Sequence, residues 1–235
     1  NAVTADAFGL LTVREDDAVV LADGTVGEMA PDPGPQTDPC APRADRVFTD
    51  VASSNQFVDE ISWLVATKIT TGWDTPTGKE FRPLAPVARD AMAAFLFRYA
   101  GAPADYVPLA TSPFVDVATD NQFYREISWL YEQKISTGWT TPAGQEFRPL
   151  APINRDAMAA FLYRFADSPA VELPTSSPFS DVATDNPFFT EIAWLAQTGI
   201  STGWPQADGS VTFEPVVTVK RDAMAAFLSR YSQLG

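Results

Sequence analysis

The chain repeats itself, and that repetition constrains its fold more than any local pattern. Arg-Asp-Ala-Met-Ala-Ala-Phe-Leu stands at Arg89–Leu96, Arg155–Leu162 and Arg221–Leu228, successive copies 66 residues apart. Glu-Ile-Ser-Trp-Leu at Glu60–Leu64 and Glu126–Leu130 returns as Glu-Ile-Ala-Trp-Leu at Glu191–Leu195. Thr-Gly-Trp follows at Thr71–Trp73, Thr137–Trp139 and Thr202–Trp204, so two positions per copy use all six tryptophans. A fixed period of this length marks a repeat architecture, in which one unit is too small to cover its own apolar faces and its neighbours complete the core.

Each unit reads as helix, turn, extended segment, helix. The first helix is expected to begin near Asn55, Asn121 and Asn186, whose side chains can cap free backbone N–H groups, with Pro187 at the first helical position. It should end by Lys68, Lys134 and Gly199, the glycine suiting a left-handed terminal residue. Phe81-Arg82-Pro83 and Phe147-Arg148-Pro149 are expected to be extended, because a residue before proline is pushed out of helical geometry. The second helix runs from about Arg89 to Tyr99, with Met92, Phe95, Leu96 and Tyr99 as its apolar stripe and Asp90 complementing the dipole in its first turn. The boundaries read as repeats over 47–112, 113–177 and 178–235, with Pro-rich connectors at Gly101–Pro113 and Asp167–Pro178.

The start of the chain differs. Residues 1–30 read as a β-strand segment, with strands at Leu10–Val13 and Ala18–Leu21 around Glu15-Asp16-Asp17 and a further turn signal at Asp23-Gly24. An isolated hairpin is marginal in water, so this segment is expected to pair with the helical body, an upstream domain or another subunit. Residues 31–46 read as a Pro-rich spacer carrying the lone Cys40, which excludes an intrachain disulfide and a cysteine-based metal site.

Thirty acidic residues against 16 basic ones leave a formal charge of −14, which argues against nucleic acid or an anionic membrane as a global partner. No apolar run is long enough to span a bilayer, so no membrane insertion is expected, and Asn1 reads as a processed or engineered terminus. Histidine is absent, which removes Ser-His-Asp and Cys-His catalysis and His-x-x-x-His zinc sites together. Asp50, Asp90 and their counterparts recur in every unit as framework positions should, and no unique carboxylate pair stands out for glycoside hydrolysis. A non-enzyme without cofactor or metal is the expectation. The P-loop-like stretch Gly72–Lys79 is one residue too long and is followed by Glu80, so it reads as a turn.

Phe48-Thr49-Asp50-Val51, Phe114-Val115-Asp116-Val117 and Phe179-Ser180-Asp181-Val182, followed by Gly72-Trp73 and its counterparts, Phe81-Arg82-Pro83 and Val87-Ala88-Arg89, come in an order that resembles the S-layer homology domain. The resemblance spans roughly residues 47–235. It implies a mainly α fold: a pseudo-threefold helical spindle of three helix-turn-helix repeats with grooves between neighbours, here preceded by the short N-terminal β-hairpin segment. It also implies a secreted protein at the cell surface that binds secondary cell-wall polysaccharide non-covalently, often through a pyruvylated, anionic sugar. Self-association through residues 1–30 into a surface layer or filament is the alternative.

Candidate glycan-binding residues follow from the chemistry of an acidic sugar. Arg89, Arg155 and Arg221 open helices, where guanidinium donors and free backbone N–H groups could converge on a carboxylate. Asp50, Asp116 and Asp181 count among the candidate glycan-binding residues too, and equally each arginine could form a salt bridge with one of them. Trp73, Trp139 and Trp204 follow a glycine turn and could stack on a sugar face, while Trp63, Trp129 and Trp194 sit at helical spacing and read as core. Gly72, Gly138 and Gly203 are backbone devices that could also let a ligand approach. Glu214 replaces Arg82 and Arg148 in the third unit, so its groove should differ from the other two.

Overall fold

The computed structural model describes residues 42–234 together with the strand residues Val19–Val20 and Val26–Gly27. The chain divides into two compact units, Asn1–Ala41 and Pro42–Gly235. In the first, β1 (Val19–Val20) pairs antiparallel with β2 (Val26–Gly27), Val20 opposite Val26. The described pair brackets the Asp23-Gly24 turn signal in sequence, and Glu15–Asp17 lies outside the described residues. Leu10–Val13 lies outside the described residues.

The second unit opens with α1 (Ala44–Val47), which occupies the end of the expected spacer because Ala44 is wholly buried and donates its N–H to Ser62 Oγ at 2.8 Å. First helices follow in each repeat: α2 (Val58–Ala66), α4 (Tyr124–Glu132) and α6 (Phe189–Gln197). They start three residues later than expected. Asn55, Asn121 and Asn186 do accept a backbone bond, each at 2.8 Å, but from the residue two positions on, Phe57, Phe123 and Phe188. The asparagine therefore closes a turn that leads into the helix, and Pro187 lies in that turn. At the other end Lys68, Lys134 and Gly199 take φ of 60°, 58° and 72°, and the N–H groups of Ile69 and Ile135 reach back to the carbonyls of Leu64 and Leu130.

Two-stranded hairpins follow: β3 (Trp73–Thr75) with β4 (Gly78–Glu80), β5 (Trp139–Thr141) with β6 (Gly144–Glu146), and β7 (Trp204–Pro205) with β8 (Val211–Thr212). These strands are the extended part of the unit. Phe81-Arg82-Pro83 is not, since Arg82, Arg148 and Glu214 sit at φ 59°, 58° and 60°. The cause is a carboxylate clamp: Asp50 accepts both the Phe81 and Arg82 N–H groups at 2.8 and 2.7 Å, and Asp116 and Asp181 do the same one and two repeats on. Two charge-assisted bonds to adjacent amides outweigh the preference of the residue before proline.

The second helices, α3 (Arg89–Tyr99), α5 (Arg155–Phe165) and α7 (Arg221–Tyr231), run where the periodicity predicts. Each packs against the first helix of the next repeat in a closed order, α3 on α4, α5 on α6 and α7 on α2. Ahead of the helices three backbone bonds of 2.9 Å form a cycle: Val87 donates to Val219, Val219 to Ile153 and Ile153 to Val87. At their far ends Tyr99, Phe165 and Tyr231 make a triangle with ring centroids 5.4–5.5 Å apart. Buried residues of all three repeats, among them Phe81, Phe147 and Phe213, belong to one core.

Gly203 shows how tightly the hairpin is set on this core. It has φ 68°, and a methyl group there would lie 2.6 Å from Phe179 Cε1 and 2.7 Å from the Thr212 carbonyl oxygen. Gly203→Ala combines left-handed strain with overpacking and should cost about 2–4 kcal/mol. Thermal or denaturant unfolding measures this, and a variant as stable as the parent would contradict the packing described.

Candidate functional site

Each candidate groove, the seam where one repeat packs on the next, draws on two repeats. Arg89, Arg155 and Arg221, first residues of α3, α5 and α7, are all at least 94% buried and reach into the following repeat in cyclic order. Arg89 Nε donates to the Phe147 carbonyl at 2.8 Å, Arg155 Nε to Phe213 at 2.6 Å and Arg221 Nε to Phe81 at 2.7 Å. Their guanidinium carbons lie 4.3, 5.6 and 4.2 Å from the ring centroids of Trp139, Trp204 and Trp73. The structure thus brings each candidate arginine onto the candidate tryptophan of its neighbour. These tryptophans are 40–41% exposed, whereas Trp129 and Trp194 are buried and Trp63 is half-buried in α2.

Two expectations about the arginines need correction. Among the described residues no carboxylate oxygen lies within 4.0 Å of Arg89, Arg155 or Arg221, so the salt bridge with Asp50, Asp116 or Asp181 is not formed. Those aspartates spend both oxygens on the clamp after the hairpin and act on the arginines only through space. The helix starts offer no free N–H either. Arg89 N–H donates to Ala151, Asp90 N–H to Pro149 and Ala91 N–H to the Asp90 side chain, and the other two helices repeat the scheme. A carboxylate arriving here would meet guanidinium edges and an indole, not a helix N-terminus.

Gly72, Gly138 and Gly203 take φ of 66°, 72° and 68°. Their missing Cβ would point at Phe48, Phe114 and Phe179 and at the carbonyl of the partner strand. Their smallness serves the packing of the hairpin on the core.

The electrostatics differ among the grooves. Burial, with Arg148 as a second cation, lowers the Arg89 guanidinium to about 10, partly opposed by Asp116. Burial together with Arg82 lowers Arg221 to about 10 as well, with Asp50 opposing and Arg98 adding to the shift. Arg155 is lowered by burial alone, because Glu214 and Asp181 pull it the other way. All three stay cationic at neutral pH.

Arg82 and Arg148 were not singled out from sequence as ligand contacts, yet each lies over a groove tryptophan, 4.7 Å from Trp73 and 4.6 Å from Trp139. Arg98 was also missed. It recurs as Arg164 and Arg230, a signal open to inspection, and with Arg221, Trp73, Thr70 and Phe95 it lines a cavity of about 120 Å³. Ser136 and Ser201 each accept from one guanidinium, Arg89 Nη2 at 3.1 Å and Arg155 Nη2 at 3.4 Å.

Set beside known families, part of the chain has a counterpart. Residues 47–93 match the S-layer homology domain. That domain generally anchors proteins to secondary polysaccharide of the cell wall and occurs in cell-surface proteins. The match covers the Asp50 clamp, the Gly72-Trp73 turn, Arg82 and Arg89. Two further units of like structure follow it. No curated protein matches the chain. No helix of the described residues is long and apolar enough to cross a membrane.

Proposed function

We propose that residues 42–235 form a pseudo-threefold spindle that holds this secreted protein at the cell surface by binding an acidic, pyruvylated wall polysaccharide in the grooves between repeats. The observation that carries the reading is the recurring pair of a buried arginine and a half-exposed tryptophan contributed by adjacent repeats. Guanidinium suits a carboxylate and an indole face suits the apolar face of a sugar ring. The cyclic Val87, Val219 and Ile153 bonds and the aromatic triangle at Tyr99, Phe165 and Tyr231 support the threefold arrangement. With the whole molecule at −14, long-range steering repels an anionic polymer, so binding comes from short-range, partly desolvated contacts.

A binding role also agrees with the roles of the recurrent carboxylates. Asp50, Asp116 and Asp181 brace backbone amides, and Asp90, Asp156 and Asp222 each bond the next residue's N–H in the first turn of a helix. We read the body as non-catalytic on that ground. Assembly through residues 1–30, where β1 and β2 pair antiparallel, is the second reading, since an isolated hairpin is marginal in water and gains from a further partner.

Calorimetric titration of wall-derived glycan into Arg89→Lys and Arg221→Lys tests the site. Lysine keeps the charge but loses the planar fork that bonds a carbonyl and presents its other edge to ligand, so affinity at that groove should fall about ten-fold or more. Circular dichroism reports on folding in parallel. Folded variants that bind like the parent would make these arginines structural only.

A further inference from the structure

The three grooves share one plan but not one charge. In the groove of Arg221, Arg82 stands over the exposed Trp73; in the groove of Arg89, Arg148 stands over Trp139. At the same place in the groove of Arg155 the chain has Glu214, with the same backbone conformation, φ 60° against 59° and 58°. Arg82 and Arg148 are each held by a glutamate two residues back, Glu80 and Glu146, at 3.0 Å. Thr212 occupies that position in the third repeat, and Glu214 has no cationic partner within 4.0 Å among the described residues. The Arg155 groove therefore carries one unit of positive charge less, with a carboxylate where the other two have a guanidinium. Arg155 is also the arginine farthest from its tryptophan, at 5.6 Å.

Arg221 differs in the opposite sense. It is 5% exposed and lines the 120 Å³ cavity. Its Nε is bonded to Phe81, but among the described residues neither Nη has a hydrogen-bond partner, whereas Arg89 and Arg155 each give one Nη to a serine. Thr70 stands where those serines are and makes no such bond. Neither Nη is sealed from solvent, so both donors face the open cavity and are free to exchange water for an anionic acceptor, which a guanidinium bonds more strongly.

We infer that the grooves are unequal: those of Arg221 and Arg89 take the carboxylate of an acidic sugar, that of Arg221 the more tightly, while Glu214 closes the groove of Arg155 to anionic ligands. This rests on the glycan reading above and adds the selection among sites. Glu214 is a specificity residue here. Its carboxylate repels an incoming carboxylate and accepts the hydroxyls of an uncharged sugar, so the third groove favours neutral residues of the same polymer.

Each groove carries its own reporter. The six indole N–H resonances of the chain can be assigned by single Trp→Phe replacements. The whole protein is titrated with methyl 4,6-O-(1-carboxyethylidene)-mannoside, a small sugar bearing ketal-linked pyruvate, and with its uncharged methyl ester. The acid should shift Trp73 and Trp139, Trp73 at lower concentration, and leave Trp204 with an apparent affinity at least about ten-fold weaker. Glu214→Arg, which installs the residue found at the same backbone conformation in the first two repeats, should make Trp204 respond. Arg82→Glu should silence Trp73 by the converse change. Equal shifts at all three tryptophans, or a Glu214→Arg protein whose Trp204 stays unresponsive, would overturn the selection but leave the glycan reading standing. Absence of any acid-dependent shift, with no binding of the protein to purified walls, would overturn both.

Discussion

A fragment spanning residues 47–100, one repeat alone, is expected to show no cooperative thermal transition under conditions where the whole chain melts in a single step. In the intact body α2 packs on α7 and α3 packs on α4, so both helices of the first repeat rest on elements the fragment lacks. Val87 would lose its partners Val219 and Ile153, and Arg89 would lose the Phe147 carbonyl, Ser136 and the Trp139 ring. Phe95 would lose Arg221 and Phe97 the rings of Tyr106 and Trp129, and each buried side chain of that size is worth about 1.5–3 kcal/mol. Since folded domains are stable by only about 5–15 kcal/mol, no margin remains. Circular dichroism with temperature checks this. A sigmoidal transition in the fragment would show that the repeats are independent domains and would remove the basis for grooves built by two repeats.

The largest effect on binding is expected from the exposed indoles. Replacing Trp73 and Trp139 together with alanine should leave the body folded, because both side chains are 40% exposed and lie at the edge of the core. Binding to purified walls should nonetheless fall by about 100-fold or more, as each ring supplies a sugar-stacking face and holds two guanidinium groups in place, at about 2 kcal/mol for a central aromatic contact. Fluorescence or calorimetric titration against wall glycan measures the loss. The variant Trp129→Ala makes the contrast: its buried ring packs on Phe97 and Phe165, so it should lower stability more than the groove pair does. Unchanged wall affinity in the double variant would place the glycan elsewhere.

Much of this fold can be read from the chain because the repeat supplies three versions of each element. Helix Arg89–Tyr99 and its two copies were legible from apolar spacing, and the end of the first helix was legible from Gly199, which shows what the lysines at 68 and 134 conceal. The start of the first helix was not. Asn55 carries the same capping chemistry whether it closes a turn or opens a helix, and only the bond to Phe57 two residues on decides between them. Arg82 misled for a different reason. The rule for residues before proline is local, whereas the clamp that sets φ 59° comes from Asp50, more than 30 residues away. Of the site, the arginines and turn tryptophans could be named in advance, but their partnership could not, since Arg221 meets Trp73 only after the third repeat closes on the first. The same closure consumes the helix-start N–H groups, which sequence alone leaves looking free.

The claim that this protein is an acidic-glycan anchor is tested most directly by sedimentation of the full chain with purified wall sacculi before and after chemical reduction of the wall carboxyl groups, with light scattering of the protein alone as reference. The protein is expected to pellet with native sacculi, to stay in solution without them, and to be released when the carboxyl groups are reduced to alcohols, a change that removes the charge and leaves the sugar ring. Pelleting that is unaffected by reduction, or protein that sediments by itself, would contradict the claim, the second outcome in favour of assembly through the N-terminal strands.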